Sequence, residues 1–392
     1  MIRNLPTLGL CLALGMPCPL AAVAEEASDP PVASRQDSDE VEGEAEEKSR
    51  GFWSNIVPVP IFITEPAVGK GLGVAVGYFH PTRSGDSSAD APIALDGESV
   101  DDVLEGRKVQ PNMTGVAIGY TNNDTKFFGI GHSRTFNRDH VRLNVAAGWA
   151  DVFADIYLLG IPFEFNIEGY LFYADTRVRF GDSDFFWGVG ATALDADNEF
   201  LLPLPDRPPL GLLATEFLDI GLTGRLMYDS RNDPLFPSSG QRVDLTIAVH
   251  DQSVGADFDY VHSTIKALTF HPIGERMVVS GRIEAEQVSG DPPFFAVPYV
   301  ALRGIPALRY QGERVAVGEA EFRYRLATRW TALAFAGLGW RERPPVKADE
   351  SIYNFGVGGR FKVLKDREVW VGLDIAQGPE DTYWYIQVGQ AW

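Results

Sequence analysis

The chain has 392 residues, 22% of them charged, and a formal net charge of −20. So acidic a chain has little with which to neutralise phosphates, which excludes nucleic acid as a partner. Forty glycines, 13 tyrosines and 24 phenylalanines favour strands and turns over helices, and after the first 24 residues no apolar run reaches the roughly 18 residues of a membrane-spanning helix.

The N-terminus reads MIRNLPTLGLCLALGMPCPLAAVAEE. Arg3 is a positive n-region, Leu8 to Leu20 an apolar core interrupted by Pro17 and Pro19, and Ala22-Val23-Ala24 a small-residue cleavage site. This is the layout of a secretory signal peptide over residues 1–24. Both cysteines, Cys11 and Cys18, lie inside it, so the exported chain is expected to hold no disulfide. Residues 25–51 are rich in Glu, Asp, Ser and Pro and hold too little apolar surface to order themselves; they are predicted to form a disordered acidic periplasmic tail. From residue 52 to 392 the signal changes to period-two alternation.

That alternation comes in segments of about ten residues, the length a tilted membrane strand needs. In chain order, strands are predicted at 58–66, 70–79, 112–121, 125–135, 139–150, 167–180, 184–195, 215–228, 241–251, 257–271, 276–289, 315–327, 329–340, 352–363, 368–377 and 382–392. In one of them Val141, Leu143, Val145, Ala147 and Trp149 share a face opposite Arg142, Asn144, Ala146 and Gly148. In another, Val369, Val371, Leu373 and Ile375 oppose Trp370, Gly372, Asp374 and Ala376. The total is even, as closure of a single-chain bacterial barrel requires. Connections on the N-terminal side come out short, while several on the other side (151–166, 196–214, 290–314 and 341–351) come out as long loops. Residues 80–111 break this order as a polar insertion, with a short helix expected around Ser99–Lys108. In the twelfth strand, Ala320, Phe322, Tyr324 and Leu326 are expected to face lipid, while Glu319, Glu321, Arg323 and Arg325 face a wet lumen. Arg177, Arg179, Arg282, Glu284 and Glu286 extend that mixed-charge wall.

Local motifs over Pro58 to Trp392 resemble the BamA/TamA-type outer-membrane assembly barrels, the bacterial surface antigen family. IFITEPAVGKGLGVAVGYF (61–79) is similar to the family's opening strand pair, and MYDSRNDPLFPSSGQRVDL (227–245) to its inner turn before the ninth strand. ALRGIPALRY (301–310) resembles its long sixth extracellular loop with an Arg-Gly signature. The final TYWYIQVGQAW is similar to the C-terminal assembly signal, with Trp392 placed on one face with Val388, Ile386 and Trp384.

The resemblance implies an all-β fold, a 16-stranded antiparallel transmembrane β-barrel with an inward-tucked sixth extracellular loop. It implies a loop lock in which Arg303, followed by Gly304, meets carboxylates of the twelfth strand, Glu319 and above all Glu321. The family's second acid falls on Ala336 here and its aromatic after Arg-Gly on Ile305, so the lock is either weaker or draws in Arg309 and Tyr310 instead. A seam between first and last strands is implied at Pro58, Pro60, Gly389 and Trp392; each proline removes a ladder donor. Asp229, Arg231, Pro237 and Gly240 read as a turn that sets strand register rather than as a catalytic group. The implied function is assistance of protein or lipid insertion or translocation at the Gram-negative outer membrane. Expected partners are outer-membrane lipid, client proteins and a separate periplasmic partner, with the barrel itself a monomer. The family's receiving POTRA modules do not fit into residues 25–50, which favours an alternative: a channel-forming or structural barrel without assembly activity. No catalytic, metal or cofactor site is expected, because the six histidines (His80, His132, His140, His250, His262 and His271) are scattered and no nucleophile motif occurs.

Overall fold

A computed structural model describes residues 56–65, 67–80, 112–137, 139–158, 161–204, 207–233, 236–342, 352–362 and 370–392. The expected signal peptide, acidic tail and 80–111 insertion with its helix lie outside these residues, apart from His80. Sixteen strands follow: β1 (Ile56–Ile63), β2 (Gly71–Phe79), β3 (Met113–Thr121), β4 (Lys126–Phe136), β5 (Val141–Leu158), β6 (Ile161–Arg179), β7 (Phe185–Leu204), β8 (Arg207–Asp229), β9 (Gly240–His250), β10 (Tyr260–Ile273), β11 (Met277–Gly290), β12 (Arg314–Ala327), β13 (Trp330–Arg341), β14 (Ile352–Lys362), β15 (Trp370–Gln377) and β16 (Thr382–Val388). They form one sheet in sequence order, each strand antiparallel to the next. The sheet curls into a nearly closed barrel. β1 and β16 end the order, and among the described residues no ladder joins them.

Burial alternates along the strands, but with the sense of a membrane protein: apolar side chains lie outside and polar ones inside. On β12, Phe322, Tyr324 and Leu326 are exposed while Glu319, Glu321 and Arg323 are buried. Arg325 departs from the expectation; it is exposed beside a register shift between Arg325 and Ala327. Outward-facing aromatics collect at two levels. Tyr120, Tyr170, Trp340, Tyr353 and Trp384 mark one rim, and Phe180, Phe185, Tyr324 and Trp330 the other, the two interfacial girdles of a transmembrane barrel. We call the rim with the short turns 137–140, 180–184 and 274–276 the inner rim.

Two expected outer loops, 151–166 and 196–214, are not loops. β5 to β8 run 18, 19, 20 and 23 residues and stand well beyond the bilayer. Above the Trp149–Tyr170 pair, the register aligns Lys126, Asp151, Glu168, Asp197 and Glu216 across five strands. Carboxylates do not belong in hydrocarbon, so this row marks where lipid ends. On the inward face of the same wall, Phe165, Ile167, Leu194 and Phe217 are buried and join a core with Phe295 and Ala296, which is why the wall persists as sheet outside the membrane.

Candidate functional site

The segment 291–313 between β11 and β12 carries the Arg-Gly pair. Arg303 is buried, and its guanidinium lies 3.4 Å from the Phe335 ring centroid. Its Nε donates to Glu319 Oε1 at 3.0 Å, and its Nη1 lies 2.9 Å from Glu321 Oε2 and 3.0 Å from Asp374 Oδ2. Planar guanidinium meets three carboxylates at once, a geometry lysine cannot copy. The acids are themselves tied down. Asn354 Nδ2 donates to Glu319 Oε2 at 2.8 Å, Gln390 Nε2 to Glu321 Oε1 at 3.0 Å, and Arg360, fully buried, holds Asp374 through Nη1 and through Nη2 at 2.9 Å. Arg323 Nε stands 3.8 Å from Glu321. Arg303, Arg323 and Arg360 thus match Glu319, Glu321 and Asp374 one for one, as burial of charge demands.

Gly304 has φ +87°, and a Cβ there would come within 3.0 Å of Gly378 N. Both the left-handed backbone and the close crossing over the end of β15 require glycine. Its N–H donates to Tyr385 Oη on β16 at 2.9 Å. Three residues on, the Ala307 N–H donates to Glu65 Oε1 at 2.9 Å, in the turn after β1. The segment therefore reaches β16 and the turn after β1, through partners 81 and 242 positions away in the chain. Leu308, buried at φ +61°, packs with Ile61, Ile63 and Val68 beside β1.

Arg309 and Tyr310 do not join Arg303's carboxylates. Arg309 Nη2 lies 2.5 Å from Glu380 Oε1, and Tyr310 Oη donates to the same oxygen at 3.0 Å, in the β15–β16 turn. Burial opposes the charge on Glu380, but the bonds from Arg309 and Tyr310 prevail and hold its carboxyl below the ordinary value.

The C-terminus corrects an expectation. β16 ends at Val388, and Gly389 turns the chain at φ +76° with its N–H on Trp370 O. Trp384 faces outward, but Trp392 does not share its face. It is buried inside with Leu268 and Phe270, and its indole N–H donates to Glu319 Oε1 at 2.5 Å. The indole N–H thus joins Arg303 on one carboxylate oxygen, and that lumen contact outcompetes continued alternation. Of the other seam residues, Pro58 pairs with Val76 and is exposed, and Pro60 pairs with Val74. Because alternate residues point their N–H groups the same way, both missing donors fall on one edge of β1.

The inner turn 230–239 is held by Arg231, which clamps Asp229 through Nε at 2.8 Å and Nη2 at 2.9 Å. Gly240, at φ +96°, leaves no room for a Cβ against Ser230 O. This turn also reaches across the lumen: Arg323 donates to Pro237 O, its guanidinium covers the Phe236 ring at 4.5 Å, and Phe236 stacks on Trp370 at 4.8 Å. Sequence reasoning did not connect Asp374, Asn354 or Arg360 to Arg303, and it named no role for Glu65, Tyr385 or Glu380. Only barrel curvature brings these together.

Residues 179–293 match the Omp85 superfamily domain, spanning β7 to β11. The fold is similar to BamA from Haemophilus ducreyi lacking POTRA domains 1–3, with TM-score 0.55 at 10% identity over 86% of this chain and 70% of that one. CdiB from Escherichia coli aligns with TM-score 0.53 and 12% identity over 85% of this chain and 62% of its own. CdiB from Acinetobacter baumannii gives TM-score 0.53 and 7% identity over 85% and 59%. The chain thus spans about three fifths of each CdiB. At these identities the likeness establishes the fold. No match was found among the curated proteins.

Proposed function

We propose that this Omp85-type barrel sits in the outer membrane of a Gram-negative cell and assists the insertion or translocation of other proteins, or of lipid, through the gap between β1 and β16. The observation that carries the reading is the unjoined pair of edge strands in an otherwise continuous order of ladders. Unpaired backbone facing hydrocarbon costs several kcal/mol per group, so a barrel does not leave an edge open without use. Such an edge is a template on which an incoming strand can add hydrogen bonds. The two prolines of β1 leave one of its edges two donors short, and the 303–307 segment links the two edge strands from within through Tyr385 and Glu65. Arg303 with its three carboxylates is, on this reading, the anchor that fixes that bridge. The barrel works as a monomer with surrounding lipid, client chains and a periplasmic partner that delivers them.

The test uses the chain's own chemistry. With Cys11 and Cys18 replaced by serine, pairs introduced along β1 and β16 report seam closure without background. Oxidation that joins the two strands is expected to abolish the protein's contribution to outer-membrane protein assembly in its own cells, and reduction to restore it. A permanently joined barrel that supports assembly as well as the free one refutes the proposal.

A further inference from the structure

Over the whole chain acidic side chains outnumber basic ones by 54 to 34, yet one arc of the inner rim reverses the balance. Arg276 lies in the β10–β11 turn, Arg325 near the end of β12, Arg329 in the β12–β13 turn and Lys362 at the end of β14. Backbone contacts set them side by side: the Arg325 N–H donates to Arg276 O at 2.8 Å, and the Lys362 N–H to Arg329 O at 3.0 Å. In the segments 274–276, 325–329 and 361–362 the one carboxylate is Glu275. Arg276 and Arg325 are exposed, and neither side chain has a hydrogen-bond or ion-pair partner among the described residues. Alternation would send Arg325 into the lumen after Arg323; the register shift beside it leaves it on the rim instead. The Arg329 guanidinium lies 4.6 Å from the Phe361 ring centroid, and Phe361 packs on Trp330 at 4.7 Å. With the exposed Ile273, Tyr324 and Leu326, these rings form an apolar floor on the bilayer side of the charges. The outer rim carries the opposite sign, since its row of Lys126, Asp151, Glu168, Asp197 and Glu216 sets four carboxylates against one ammonium.

We propose that Arg276, Arg325, Arg329 and Lys362 bind the phosphate headgroup of an anionic phospholipid in the periplasmic leaflet, with its acyl chains on the floor of Tyr324, Leu326, Trp330 and Phe361. Four like charges in adjacent turns repel one another, and Glu275 offsets only one of them. A phosphate, with several acceptor oxygens, takes hydrogen bonds from more than one guanidinium at once. A basic cluster flush against an aromatic girdle is the arrangement that holds anionic headgroups at a membrane surface. The apolar floor selects a lipid over a soluble acidic partner, which gains nothing from it. The inference rests on the membrane placement proposed above but not on any use of the seam.

In the experiment the full barrel, purified in a neutral detergent, is titrated separately with phosphatidylglycerol, with diacylglycerol of the same chains and with glycerol phosphate, and bound molecules are counted by native mass spectrometry. Phosphatidylglycerol is expected to be retained saturably and the other two are not. Arg276→Gln combined with Arg325→Gln removes two unpaired charges, so the barrel is expected to fold as before while affinity for phosphatidylglycerol falls about 25-fold, about fivefold for each charge. Should that pair misfold, Glu275→Gln, which lifts the opposing charge, is expected to tighten binding about fivefold. Equal binding of diacylglycerol would reduce the site to apolar contact, and equal binding of glycerol phosphate would assign it to a soluble anion. Wild type that retains no phosphatidylglycerol, or folded variants that bind it as wild type does, would take the charges out of the site. Each of these results overturns the proposal. No client chain enters the measurement, so its failure leaves the seam reading untouched.

Discussion

Arg303 could not stay where it is on hydrophobic grounds; an uncompensated buried charge costs far more than its stem gains. Its place is set by Glu319, Glu321 and Asp374, and each of these in turn needs it. Removing one member of such a buried group leaves charge stranded, at about 3–5 kcal/mol. Arg303→Met is therefore expected to lower stability by that amount, read as an earlier urea midpoint or an earlier loss of compact migration on heating. Arg303→Lys is expected to recover little, since an ammonium cannot face three carboxylates in a plane. If Arg303→Met unfolds like wild type, the anchor has no energetic weight. Arg303, Gly304, Glu319 and Glu321 were named through the family resemblance of the 301–310 loop and the strand that follows it. Asp374 was not joined to them, because it lies 71 positions from Arg303 and nothing local says which inward carboxylate will face it.

At the scale of elements, alternation found all sixteen strands but misjudged where four of them stop and where the last one turns. FEFNIE (163–168) continues the period of β6 beyond the bilayer, yet a reading tuned to membrane thickness ends at the aromatic girdle. β16 fails in the opposite sense: its alternation continues through Trp392 while Gly389 redirects the chain inward. Trp392→Ala is expected to cost about 3–5 kcal/mol, the usual loss for a large buried aromatic, and to leave Glu319 Oε1 to Arg303 alone. A denaturation series compared with the outward-facing Trp384→Ala, expected to change much less, checks it. The Arg309–Glu380 link adds a pH dependence. Glu380's carboxyl in the folded protein is held below its ordinary value of 4.5, so the link is fully present above that pH and is lost as pH falls through the lower folded value. Hydrogen exchange at residues 305–312 is expected to stay constant from neutral pH down to about 5, after correction for the intrinsic rate, and to quicken only below about 4.5. In Glu380→Gln it is expected to be fast throughout; a rise already near pH 6 would assign the opening to another group.

For the whole molecule, what matters is which parts of the lumen are filled. Near its outer end the 291–313 segment is fixed through Arg303, Gly304 and Ala307 to β12, β15, β16 and the β1 turn. Near its inner end Phe236 and Pro237 reach Arg323 and Trp370, and Trp392 fills space beside Leu268 and Phe270. One strand links the levels, since Glu319, Glu321 and Arg323 are successive inward residues of β12. Strand number and wall polarity were legible because they repeat along the chain; the filling of the lumen was not, because it is made of single contacts between distant turns. A lumen held in this way opposes steady ion flow, as the proposed use of the seam requires. In a planar bilayer, wild type is accordingly expected to show at most brief, small openings. Arg303→Met combined with Phe236→Ala, which loosens both ends, is expected to raise mean conductance severalfold, with each single change giving less than the pair. Large stable steps from wild type, unaltered by the double change, would mean that ions already pass around these contacts, and the channel reading would then displace the seam.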